Sequence, residues 1–443
     1  MLEHLDLPRL FDEMVAHFSH LIQINSVNPP GNEIDVARYI ASVFDQEGIS
    51  YEIIEPEPTR ASIIARIKGN GTERPLLLMS HLDVVAVEND KWDMPPFSGT
   101  IKDDVLWGRG ALDCKNTVSL WMMVMVAVKR SGWVPKRDLI FLGAADEETG
   151  GRWGAKWIAE NRYDLVDAEA ALNEGGGFGL ELDRRIFYTY QTGEKGNLWL
   201  RITKNGTPGH ASIPNGENPV SELVACIERL QKQKLPFRLT PSVQQMIATL
   251  CKSSPFFKSI GLRLMIQPLF SDLILRKGIK NHSIASSFRA MLRNTVSPTV
   301  LQAGQKVNVI PSEAQAEVDF RILPGFNMEH VLQQIKQTIG PGFQVDVTDL
   351  VWPSESPPHH PLARCISAAV QDQYPAAQVV PLLLPGSTDG GFFRAKGMVV
   401  YGFSPILPTE DTSLAHSHNE RIGLDSVRFS LEVGLKTVID FIS

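Results

Sequence analysis

Five stretches of this 443-residue chain place metal-type ligands and acids where chemistry could use them. "LLLMSHLD" carries His81 and Asp83, "GRGALDCKN" carries Asp113, and "LIFLGAADEETGG" carries Glu147 and Glu148. "AALNEGG" carries Glu174, and "AHSHNE" carries His416 and His418. A His/Asp/Glu mixture suits a hydrolytic site for zinc or a related divalent ion. Taken singly, each stretch also fits a solvated loop, and Asp113 also fits an N-cap for the helix that follows. Together they are harder to read that way, because three of them end apolar, strand-like runs. Adjacent carboxylates at the end of a buried strand repel unless a cation meets them.

On an extended backbone Glu147 and Glu148 point to opposite sides. One can then ligate a metal while the other faces substrate as a general base. His-x-Asp has a matching reading. His81 binds metal through one ring nitrogen, and Asp83 fixes the other. Two ions bridged by Asp113 would acidify a shared water and polarise a carbonyl.

The elements that must position these residues follow from periodicity. Leu10, Phe11, Met14, Val15, Phe18, Leu21 and Ile22 mark a first helix, and Ile34 to Phe44 a second, with "NPPGNE" breaking the chain between them. Strand-like runs follow in "YEIIEPE", "ASIIARIKG" and "PLLLMSHLDVV", then a helix after "LDCKN" to about residue 130, and a strand at 138–144. A helix near 152–161 and the strand "AEAALNEGG" continue the alternation. This order predicts an α/β layer with a mainly parallel central sheet flanked by helices, and ligands bind beyond strand C-termini in such sheets.

From about residue 196 the order becomes β-α-β…β-α-β, the pattern of a two-layer α+β, ferredoxin-like domain. A mostly helical insert is expected near 235–305. Alternating strands and helices return from 351, ending in a helix at 425–441. The expected organisation is a discontinuous catalytic domain, 1–195 and 351–443, with a second domain at 196–350.

The bulk numbers exclude several classes. A net charge of −7 argues against a nucleic-acid partner. The longest apolar run, "LWMMVMVAV" at 120–128, falls well short of the about 20 residues a bilayer span needs. The N-terminal "MLEHLDLPRLFDEMVAHF" lacks the basic start and apolar core of a signal peptide. Four well-separated cysteines read as reduced thiols. A cytoplasmic protein with no membrane partner is expected.

The ordered set "SHLDVV", "GRGALDCK", "ADEETGG", "NEGG", "GTPGHASIP", "NVIP…DFR" and "HSHNE" resembles the di-zinc metallopeptidase family of aminoacylases, carboxypeptidase S, acetylornithine deacetylase and succinyl-diaminopimelate desuccinylase. The resemblance covers essentially the whole chain. "NEGG" and the long insert resemble the carboxypeptidase S branch, which includes N-acyl amino acid hydrolases.

The resemblance implies a phosphorylase/hydrolase-like catalytic fold with a lid or dimerisation domain, and two Zn2+ per subunit, with Co2+ or Mn2+ as alternatives. His81 and Glu174 would bind one ion, Glu148 and His416 the other, and Asp113 both. His416 is preferred over His418 by its distance from Asn419, and His418 remains the competing choice. A cis peptide is implied at Asp113–Cys114. Glu147 would be the general base, Asp83 would orient His81, and His210 would donate to the oxyanion. In several relatives that histidine comes from a partner subunit, so a homodimer is one expectation. Arg321 would hold the substrate's carboxylate, with Asn308, Gly386 and Ser387 as further substrate contacts.

The implied activity is a zinc-dependent amide hydrolase that releases an amino acid from an N-acyl amino acid or short peptide. The alternatives are a deacylase of acetylornithine or succinyl-diaminopimelate type, a metal-dependent aminopeptidase or dipeptidase, and a non-catalytic binding protein on the same fold. The last has no use for Glu147.

Overall fold

The computed structural model describes residues 5–182, 185–214 and 216–443. The first four residues of the N-terminal stretch quoted above lie outside them. The chain forms two compact units. One comprises the residues up to Thr192, Ser356–Leu382 and Thr388–Ser443. The other comprises Gly193–Glu355 and Leu383–Ser387.

The first unit is built on one large sheet. Its strands lie in the order Ser50–Glu57, Arg60–Ile67, Leu139–Ala144, Leu76–His81, Ala170–Asn173, Val399–Gly402 and Arg185–Glu194. The four from Leu139–Ala144 to Val399–Gly402 run parallel, and the flanking strands are antiparallel. The central strands are apolar at nearly every position because helices cover both faces. Leu76, Leu78, Leu139 and Phe141 pack with Phe18, Trp121 and Phe441. These come from the helices Leu7–Gln23, Lys115–Arg130 and Leu424–Ile442. The alternate residues Leu77, Met79, Ile140 and Leu142 pack on the other side with Ile158 and Phe393. The two-residue period of a strand thus feeds two separate cores.

Parallel register fixes where the strands end. His81 lies level with Ala144, and Asn173 with Gly402. The residues just beyond these strands therefore emerge at one edge of the sheet. Among the described residues, no helix is long and apolar enough to cross a membrane.

The second unit has a four-stranded antiparallel sheet in the order Thr295–Ala303, Glu313–Ile322, Gly196–Asn205 and Gln344–Leu350. Helices Pro219–Lys232 and Met328–Ile339 cover one face through Leu223, Leu230, Val331 and Ile335. Buried and half-buried residues alternate along Glu313–Ile322, so Val318, Phe320 and Ile322 enter this core while Asp319 and Arg321 face away. Helices Pro241–Ser253, Phe256–Met265 and His282–Leu292 occupy most of the stretch expected to be a helical insert. That expectation fails at its end. Residues 295–303 form the edge strand, in keeping with the β-branched Thr295, Val296, Thr299 and Val300.

Candidate metal centre

The strand ends deliver their side chains to one place. His81, the last residue of its strand, is buried. Its Nε2 lies 2.9 Å from Asp113 Oδ1 and 3.6 Å from Glu174 Oε2. The other Asp113 oxygen lies 3.0 Å from His416 Nε2, which is 3.2 Å from Glu148 Oε2. Two groups of ligand atoms result, His81–Asp113–Glu174 and Asp113–Glu148–His416, each set within 4.8 Å and sharing Asp113. His418 is elsewhere, 3.5 Å from Glu88. The peptide Asp113–Cys114 is cis. Cys114 lies beside the first group, but burial pushes its thiol pKa far up, and its Sγ donates to the His81 carbonyl at 3.6 Å.

The acidic turn departs from the extended backbone inferred above. Asp146 has φ +70°, and Glu147–Thr149 form a single 3-10 turn. Asp83 sets that turn by accepting the backbone N–H groups of both Glu147 and Glu148 at 3.1 Å. It also accepts from Asn28 Nδ2 at 2.8 Å and lies 3.4 Å from His81 Nδ1. This buried carboxylate therefore fixes the loop bearing Glu147 and Glu148, while His81 Nδ1 donates to the backbone carbonyl of Asp83 at 3.0 Å, which fixes its ring.

Sequence reasoning missed the supports behind this. Arg60 donates to Glu33 and, at 2.7 Å, to Asp146. The Asp146 N–H donates back to Glu33 at 3.1 Å. Asn28 Nδ2 links Asp83 with Asp146. Glu420 is buried, pairs with Arg109 at 2.6 Å, and accepts the N–H groups of Gly110, Leu112 and Asp113. It holds the loop that presents Asp113. The only sequence signal for Glu420 was its place in "HSHNE".

Charges inside the centre are strongly coupled. Burial opposes ionisation of Asp113, yet hydrogen bonds from His416 and His81 hold it well below the carboxylate range. Hydrogen bonds to Asp113 and Glu148 raise His416 to about 10. Burial, and then the charge of Glu174, push Glu147 well above the usual range. Among the described residues, two buried carboxylate oxygens lack any partner, Glu148 Oε1 and Asp389 Oδ2. An orphaned carboxylate oxygen within a His/Asp/Glu cluster fits a divalent ion, and the shared Asp113 fits two.

A profile of the family described as Peptidase family M20/M25/M40 matches residues 77–440. The chain belongs to that family. It is a metallohydrolase with the family's fold. It is 30% identical over 421 residues to the human N-fatty-acyl-amino acid synthase/hydrolase PM20D1, covering 90% of this chain and 81% of that one. It is 27% identical to the probable carboxypeptidase S-like 2 of Dictyostelium discoideum, covering 80% and 69%. The M20 family metallo-carboxypeptidase Sso-CP2 of Sulfolobus solfataricus superposes with a TM-score of 0.74 at 19% identity, over 96% of this chain and 98% of that one. These relatives agree with the branch the motifs resemble.

The remaining candidates lie in the second unit. His210 is exposed on a two-residue strand paired with Val309–Ile310, and its Nδ1 is 2.6 Å from Ser212 Oγ. The Asn308 carbonyl accepts the Ala211 N–H at 3.0 Å. Arg321 donates to Asp319 at 2.9 Å and to Asn197 Oδ1 at 2.9 Å. That Asn197 oxygen also accepts from Ser387 at 3.2 Å, in the segment that carries Gly386. Asn197, which also donates to Asp349 at 2.8 Å, was not singled out from sequence.

Proposed function

We propose that this chain is a zinc-dependent amidohydrolase that releases an amino acid with a free carboxylate from an N-acyl amino acid or short peptide. The observation that carries the reading is the pair of ligand groups sharing Asp113, with the half-buried Glu147 beside them. The human relative's name supports an N-acyl amino acid, and the Dictyostelium relative's a peptide. The four unpaired cysteines fit a reducing, cytoplasmic setting.

His81 and Glu174 would hold one ion, Glu148 and His416 the other, and Asp113 both. Bound there, two divalent ions supply Lewis acidity to the scissile carbonyl and acidify a water. Glu147 takes the water's proton and passes it to the leaving amine. Asp83 fixes His81 in the orientation a ligand needs. Arg321 pairs with the substrate carboxylate through its guanidinium fork. Asn308, Gly386 and Ser387 add substrate contacts, and His210, from this chain or a second copy, donates to the developing oxyanion.

The test is a panel of N-acyl amino acids, dipeptides and their C-terminal amides, assayed with chelator and with zinc restored. Zinc-reversible release confined to free carboxylates is expected. Glu147→Gln should keep its metal and lose about 10²–10⁴ in turnover. Near-normal turnover in that variant would remove Glu147 from its role. Equal rates on acids and amides would remove the carboxylate requirement.

A further inference from the structure

The helical part of the second unit has an inverted surface. Phe256 is 73% exposed, Phe257 85% and Leu269 89%, with Ile260, Phe270, Leu273 and Ile284 also exposed. Ser259 and Ser271 are buried instead. Single exposed apolar residues are ordinary, but a cluster on one small subdomain is not. The cluster is structurally connected. Helix Phe256–Met265 packs on the turns of Ser271–Gly278, and these pack on helix His282–Leu292.

The same segment carries the opposite charge to the rest of the chain. Between residues 252 and 293 there are eight Lys and Arg residues against one acid, Asp272, a formal +7 in a chain of −7. The remainder is therefore −14. Asp272 is taken up by the buried Arg293 at 3.3 Å, while Lys252, Lys258, Arg263, Arg276, Lys277 and Lys280 are exposed and Arg289 is half-buried.

We propose that this subdomain docks on an anionic phospholipid bilayer, with Phe256, Phe257, Leu269 and Phe270 entering the headgroup boundary and the surrounding cations pairing with lipid phosphates. Apolar side chains among Lys and Arg are the composition of an element that lies on a membrane rather than spans one. This amends the expectation of no membrane partner and leaves the absence of a spanning helix untouched. A second copy fits less well. A twofold contact sets a patch against itself, so +7 would face +7 across the apolar residues. The inference does not depend on the substrate proposed above.

The experiment is co-sedimentation of the full chain with phosphatidylcholine vesicles, with or without phosphatidylserine. Binding to the phosphatidylserine vesicles alone is expected, weakening as salt is raised. The combined variant Arg276→Gln, Lys277→Gln, Lys280→Gln should bind about a hundredfold more weakly. Phe256→Ser with Phe257→Ser should lose about tenfold or more. Hydrolysis of a water-soluble substrate and the unfolding transition should be unchanged in both variants, showing that each has folded. Equal binding to both vesicle types, no binding to either, or partitioning that neither variant alters would overturn the proposal. So would a solution dimer that the Phe256, Phe257 variant dissociates, since the face would then be an interface between copies.

Discussion

Replacing Arg60 with Met keeps the aliphatic stem and removes the one cation shared by two buried carboxylates. Arg60 is 8% exposed and Glu33 fully buried. Asp146 would keep donors from Asn28, Thr149 and the Trp153 N–H. Glu33 would keep the Asp146 N–H and its own backbone N–H. The penalty therefore falls mainly on Glu33, and an uncompensated buried carboxylate costs about 3–5 kcal/mol. The second change Glu33→Gln removes that charge and should recover a large part of the loss. Urea unfolding of Arg60→Met, Glu33→Gln and the double variant measures this as a cycle. Burial already raises the Glu33 pKa above its ordinary 4.5, with Arg60 opposing the rise. Without Arg60 it rises further, so the folded variant takes up a proton that the unfolded chain releases. Its stability deficit should grow as pH rises above the already raised wild-type pKa of Glu33, and shrink towards acid. A loss below about 1 kcal/mol, or a double variant no better than Arg60→Met alone, would refute the argument.

Two further outcomes follow from the site. His416→Ala should lower bound metal from two ions towards one, whereas His418→Ala should leave metal content intact; the reverse would assign the ligand to His418. Asn197→Ala removes the oxygen shared by Arg321 and Ser387, so KM for free-carboxylate substrates should rise about tenfold with kcat little changed. An equal rise for amidated substrates would show that Asn197 does not act through Arg321.

What the sequence made legible was local. Apolar runs ending in His81, in Glu147 and Glu148, and in Glu174 announce central parallel strands and their C-terminal edge. The alternation of Glu313–Ile322 announces a sheet with one buried face, leaving Arg321 on the other. What stayed hidden depends on partners far along the chain. Arg109 and Glu420 are 311 residues apart. Arg60 and Asp146 are 86 apart. Lys115 looks like a solvated helix-start residue in "LDCKN", yet it is fully buried and donates to the carbonyls of Leu21 and Ile24 at the end of the first helix. No periodicity marks a polar residue whose partner is set by tertiary packing. The 3-10 turn at Glu147 was missed for a related reason, since its backbone is dictated by Asp83 rather than by local propensity.

The chain's own compensation of charge yields a last prediction. Carboxylates that support the centre have partners supplied by the protein: Glu33 and Asp146 have Arg60, Glu420 has Arg109, and Asp83 has two N–H groups and Asn28. Those within the centre do not. Among the described residues, no Lys or Arg pairs with Asp113, Glu148 or Glu174; only His81 and His416 meet them. Without metal, the imidazoles can balance that charge only by staying protonated, which is why His416 rises to about 10 and His81 lies well above its ordinary value. As metal ligands they must be neutral, so metal uptake must release protons. With folded pKa values raised, the apparent affinity should climb with pH by up to about tenfold per unit for each imidazole, until pH passes those values. Titration calorimetry of the chelated protein with zinc, in buffers of different ionisation enthalpy, counts the protons directly. Release approaching two protons for the loaded pair is expected at neutral pH. Uptake without proton release, and an affinity flat between about pH 7 and about pH 9, would mean that the histidines are neutral beforehand and that the carboxylates carry their own protons instead.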